Sequence, residues 1–156
     1  MPKRGCILTI LITLAQPIVA GDHPELSEAD EAYSAERYEQ AATLYRRDAE
    51  LGKVAAQINL AFLYLDGLGV KQDFRESATW FRRAAEQGNV EAQQNLGLLL
   101  QEGNGVEQDY TEADKWFIIA GAKGNSAAVE QRMTPVQVSE ARKRAEAWHA
   151  DGAHNR

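Results

Sequence analysis

The sequence matches itself when shifted by 36 positions. Lys53 to Gly88 lies without a gap over Asn89 to Gly124, and 16 of the 36 paired positions are identical. The identities include Ala56/Ala92, Leu60/Leu96, Gly67/Gly103, Gly69/Gly105, Asp73/Asp109, Trp80/Trp116 and Gly88/Gly124. A period of this length marks a repeat architecture. One supersecondary unit stacks on its neighbour because it cannot bury its apolar face alone.

Each unit reads as two helices. The first runs from about Val54 to Asp66, with Leu60, Leu63 and Tyr64 at helical spacing. It stops at Gly67, since glycine accepts the left-handed conformation that closes a helix. The second helix opens at Asp73. Asp73 with Glu76, and Asp109 with Glu112, form a D-x-x-E variant of the capping box. Phe74, Ser77, Trp80, Phe81, Ala84 and Ala85 mark its buried side. Gly88 and Gly124 are expected to end the second helices.

A degenerate unit precedes these two. Tyr38, Ala41, Tyr45, Ala49 and Gly52 fall 36 residues before Phe74, Ser77, Phe81, Ala85 and Gly88. Arg37 to Leu51 is thus an earlier second helix, with about Glu25 to Ala35 as its partner. After Gly124 the pattern decays. Ala127 and Ala128 look like the start of another first helix. Thr134 and Pro135 read as an N-cap followed by proline at the first helical position. Val138, Ala141, Ala145 and Trp148 line one stripe of a final helix. That helix is expected to cap the last unit, because Arg82 and Arg83 become Ile118 and Ile119 there and call for cover. The organisation is therefore a leader at 1–20, a hairpin at 21–52, full units at 53–88 and 89–124, and a degenerate unit with its capping helix at 125–156.

The first twenty residues form an address label. Lys3 and Arg4 precede the run CILTILITLA, and Gln16, Pro17 and the small residues Ala20 and Gly21 follow. A spanning helix needs about 20 apolar residues, and this run breaks well short of that. Cleavage is expected after Ala20, with Gly21 the near alternative, which places the mature chain in the periplasm or outside the cell. Retention of the segment as an anchor is the competing reading. Loss of Lys3 and Arg4 leaves 15 bases against 23 acids. So acidic a chain has no general footprint for nucleic acid. The only cysteine, Cys6, lies in the leader, so the mature chain has no disulfide and rests on packing alone.

These residues resemble the Sel1-like repeat family, a relative of the tetratricopeptide repeats. The first full unit carries A-A-Q-I-N-L-A-F-L-Y-L-D-G-L-G-V-K-Q-D-F and then W-F-R-R-A-A-E-Q-G; the second follows it in phase. The departures are Ala61 where glycine is usual, Leu100 for tyrosine and Gly121 for alanine. The likeness covers about residues 32 to 149, and the leading hairpin is closer to an ordinary tetratricopeptide unit. It implies an all-α fold: an α-solenoid of antiparallel helix pairs, wound as a right-handed superhelix, with the capping helix at its C-terminal end. It also implies an adaptor or scaffold role in protein complexes, and many bacterial members are exported.

No catalytic, metal or cofactor set is legible. The histidines, His23, His149 and His154, sit near the chain ends. No Walker A loop, H-E-x-x-H, Ser-x-x-Lys or nucleophile elbow occurs. An envelope hydrolase and a membrane-tethered structural subunit stand as the alternatives to a scaffold.

In such solenoids the first helices line the concave face, which usually takes the ligand. Counted from Leu60 and Leu96, that face should carry Ile58, Phe62, Leu65 and Asp66, then Gln94, Leu98, Gln101 and Glu102. Asn59 and Asn95 recur before the Leu60 and Leu96 positions. They could grip a peptide or brace a neighbouring turn. A mixed apolar and acidic groove suits a protein segment bearing Lys or Arg. No nucleic acid and no stable membrane insertion after leader removal are expected.

Overall fold

The computed structural model describes residues 24–152. The leader at 1–20 and His154 lie outside the described residues. Within them the secondary structure is helical throughout: α1 (Pro24–Ser34), α2 (Tyr38–Glu50), α3 (Val54–Asp66), α4 (Phe74–Glu86), α5 (Val90–Glu102), α6 (Tyr110–Ile119), α7 (Lys123–Glu130) and α8 (Pro135–Asp151). Each helix packs on the next from α1 to α6, and α6 then receives both α7 and α8. The fold is an all-α solenoid of helix pairs with a C-terminal cap. Among the described residues no helix is long and apolar enough to cross a membrane.

The repeat is visible in its joints. At the end of α3 the amides of Gly67 and Leu68 both donate to the Leu63 carbonyl, at 2.9 and 3.0 Å. At the end of α5 those of Gly103 and Asn104 donate to Leu99 at the same two distances. This is the Schellman closure that a left-handed glycine permits. The second glycine of each loop does different work. A Cβ on Gly69 would lie 2.2 Å from the backbone of Tyr38, and one on Gly105 2.2 Å from that of Phe74. The loop of each unit is thus seated against the opening turn of the second helix one unit earlier. A buried glutamine ties the units from the other end. Gln57 Nε2 donates to the Ala49 carbonyl at 3.1 Å, and Gln93 Nε2 to that of Ala85 at 3.2 Å.

The second helices open as the sequence indicates, with one simplification. Asp73 accepts from the amides of Arg75 and Glu76, and Asp109 from that of Glu112. Glu112 does not reach back to its cap; it pairs with Lys115 at 2.8 Å. The buried side holds Trp80, Phe81, Trp116 and Phe117, with alanines at the closest helix approaches. Phe74 is not part of it: at the first position of α4 it is 37% exposed.

The C-terminal third departs from the register expected of it. Gly121, not Gly124, takes the left-handed turn, with φ +68°. It ends α6 three residues early relative to α4 and draws the next helix forward. Gly124 therefore lies inside α7, and Ala127 and Ala128 are exposed along it rather than at its start. The capping helix α8 forms as expected. Thr134 accepts from the Gln137 amide at 3.3 Å while Gln137 accepts from that of Thr134 at 2.8 Å, a full capping box with Pro135 at the first helical position. Ala141 and Ala145 are buried, and the Trp148 ring meets Trp116 edge-on at 6.2 Å. Trp116 is left 2% exposed, and Ile118 and Ile119 half-buried.

Candidate functional site

Two first helices present the same stripe. On α3 it runs through Ala55, Asn59, Phe62 and Asp66; on α5 through Glu91, Asn95, Leu98 and Glu102. These positions lie three or four apart, so they share one face of each helix. All keep solvent exposure. The surface therefore runs along α3 and α5.

Its polar residues differ in availability. Asp66 and Glu102 are exposed, each the last residue of its helix. The C-terminal end of a helix carries partial negative charge, and neither helix has a base in its last turn. Two carboxylates thus stand where the backbone already repels them, an arrangement that a cation relieves. Protein backing on one side of Asp66 pushes its carboxyl above the usual range by desolvation. Glu102 Oε2 accepts from Asn104 Nδ2 at 2.6 Å. Below the carboxylates, Gln72 and Gln108 donate to the carbonyls of Leu65 and Gln101, each at 2.8 Å. These bonds fix the loops beside the acidic ends.

The remaining expected residues sort by what they touch. Leu98 is 38% exposed and is the open apolar position of the stripe. Phe62, its counterpart on α3, is committed to packing: its ring meets Phe81 edge-on at 5.1 Å. Leu65 is half-buried against the core, and Gln94 and Gln101 are half-exposed. Ile58 corrects the sequence reading. It is 1% exposed and belongs to the core, because it sits one residue off the exposed stripe and turns inward. Asn95 Nδ2 donates to the Glu91 carbonyl within its own helix at 2.9 Å. Asn59 Nδ2 is buried and directed toward the Tyr45 hydroxyl. It stands by Tyr45, whose hydroxyl donates to Asp30 at 2.5 Å. Burial and then the Asp30 bond push that hydroxyl far up, and Asn59 tempers the rise.

Among the described residues no group of three or more His, Cys, Asp or Glu could hold a metal ion. His149 stacks edge-on against Trp148 at 5.4 Å. One feature escaped the sequence reading altogether. An open cleft of about 630 Å³ lies at the C-terminal end, lined by Glu130, Met133, Val138, Arg142 and Lys143 among others. Arg142 pairs with Glu130 across it at 2.8 Å. The signal that could have revealed it was Gly121, which sets where α7 lies.

Residues 54–89 and 90–125 each match the family profile of the Sel1 repeat. Two solved structures are similar over most of the chain. One is c5321, a protective antigen present in uropathogenic Escherichia coli strains and displaying an SLR fold. It is 32% identical with a TM-score of 0.77, and the match covers 86% of this chain and 32% of that one. The other is a Sel1 repeat protein from Oxalobacter formigenes, 30% identical with a TM-score of 0.58, covering 85% of this chain and 57% of that one. The chain thus spans about a third and somewhat over half of these two proteins. No curated protein matches it.

Proposed function

We propose that the chain, a Sel1-repeat protein across residues 54–125, is an interaction scaffold whose α3–α5 face holds a basic segment of another protein. Sel1 repeats generally serve as protein-interaction scaffolds and are generally not catalytic. The observation that carries the reading is the paired ending of α3 and α5. Asp66 and Glu102 are exposed carboxylates at the negative ends of two successive first helices, and Leu98 lies one turn before Glu102 on the same face of α5. A Lys or Arg side chain would meet both the carboxylates and the helix ends, while an apolar neighbour covers Leu98.

Export of the protein belongs to the same proposal. It rests on the leader pattern of residues 1–20, with release after Ala20 into the periplasm or beyond. N-terminal sequencing of the purified protein tests it: a chain beginning at Gly21 supports export, and one retaining residues 6 to 20 supports a tethered subunit.

Binding is tested by screening arrayed peptides of Lys/Arg-rich and Asp/Glu-rich composition against the purified protein and an Asp66→Lys/Glu102→Lys variant. Retention of basic peptides by the wild type, and their loss from a variant of unchanged helicity, is the expected outcome. Equal retention by both proteins would contradict the site. Phe62 is left intact, because its contact with Phe81 would confound binding with folding.

A further inference from the structure

The buried charge that the proposed function does not use lies at the other end of the solenoid. Asp114 is 0% exposed in the middle of α6. The positions 36 and 72 residues earlier are Ala78 and Ala42, both buried at helix contacts. The last unit therefore carries a carboxyl where its predecessors carry a methyl group. Asp114 Oδ1 accepts from Ser126 Oγ of α7 at 2.6 Å, and Oδ2 is buried without a partner. A half-satisfied buried carboxylate is costly, and protonation removes the charge that makes up most of that cost.

The element resting on Asp114 is the shortest helix among the described residues. Helix α7 has eight residues, includes Gly124, lacks a side-chain cap and buries only Val129. A helix so short has little stability of its own and depends on docking. Its docking is to α6, and that contact includes the Ser126–Asp114 bond.

We propose that α7 is a pH-governed latch, held more firmly on α6 in acid than at neutral pH through protonation of Asp114. The groups that face Asp114 are few. From α7 come Ser126, which favours the charged form, and Glu130, which disfavours it; from α8 comes Arg142, which favours it. Desolvation outweighs all three and raises the carboxyl. The sign follows. A group whose pKa is higher in the docked state than when released adds stability that is complete below its ordinary carboxyl range. That stability is lost as pH rises through the raised value. At neutral pH the latch is at its loosest, and its opening would bare the side of α6 between the second repeat and the cap. The Arg142–Glu130 pair links α7 to α8, but Arg142 is largely exposed, so this pair is a minor restraint.

Amide hydrogen exchange on the full protein reads this directly. Protection factors over residues 127–130 should rise severalfold as pH falls from about 8 toward the ordinary carboxyl range near 4, with no matching rise over α4 and α5. Asp114→Asn keeps the shape and removes the titration. It should show protection at the higher pH raised severalfold and no slope. Glu130→Gln, which removes the other facing carboxylate, should keep the slope. Should Asp114→Asn fail to fold, Ser126→Ala decides: loss of the donor to the charged form should move the transition to higher pH. A slope retained in Asp114→Asn, abolished in Glu130→Gln or unmoved in Ser126→Ala would overturn the latch.

Discussion

Gly105 and Gly124 show how differently one residue type acts within a single chain. Gly105 has φ +70° and faces the backbone of Phe74, so a side chain there meets both strain and a collision that cannot be relieved by a rotamer change. We expect Gly105→Ala to destabilise the protein by at least about 2 kcal/mol, read by chemical denaturation. Gly124 lies in α7 with open space around it. Gly124→Ala should stabilise α7 by about 0.5–1 kcal/mol, read as slower amide exchange across 127–130. The first glycine was legible as part of a repeated Gly-x-Gly. The second was read as a helix end, because the register was carried forward unbroken past Gly121. Asp66 makes a prediction in pH. Its raised carboxyl must be ionised to hold a cation. Affinity for a basic peptide should be full above that raised pKa and fall as pH drops through it, whereas Asp66→Asn should bind weakly with a flattened profile. An unchanged profile in Asp66→Asn would contradict the role given to this carboxylate.

At the scale of elements, α2 to α5 were readable almost to the residue. Their ends are set by local chemistry: an aspartate cap, a left-handed glycine, a turn glycine. Nothing local distinguishes Ile58 from a groove residue. Helical periodicity says which residues share a face, but the angle at which α3 meets its neighbours decides whether position 58 points outward. Phe62 is half-buried, and its partner Phe81 lies 19 residues away and is invisible to spacing. The capping helix was foreseen from the Arg-to-Ile exchange at 118 and 119, and its contact with Trp116 gives that role a measurable value. Trp148→Ala should cost about 1–3 kcal/mol, since it removes a half-buried ring and an edge-on aromatic pair. Deletion of 135–156 should go further, baring Trp116 and producing aggregation visible by light scattering. Monodisperse behaviour with an unchanged melting temperature after the deletion would contradict the capping role.

Across the whole molecule, the fold is a short solenoid held by like joints. The Gly69 and Gly105 seats and the Gln57 and Gln93 ties repeat at 36 residues, and they are also the parts of the sequence that repeat most faithfully. That is why the architecture could be read from identities alone, and why those identities say little about a ligand: they are occupied with stacking. In the proposed function, the binding signal sits instead in residues that vary between units, such as Leu98 against Phe62 and Asp66 against Glu102. The measurement that tests the central claim most directly is site-specific photocrosslinking. A crosslinking side chain is placed at Leu98 on the proposed face, or at Val136, which is 77% exposed on the capping helix. With a Lys/Arg-bearing peptide, we expect adducts at position 98, little reaction at 136, and loss of the adducts when Asp66→Lys and Glu102→Lys are introduced. Equal labelling at the two positions, or labelling at 98 that survives charge reversal, would contradict a binding face built on α3 and α5.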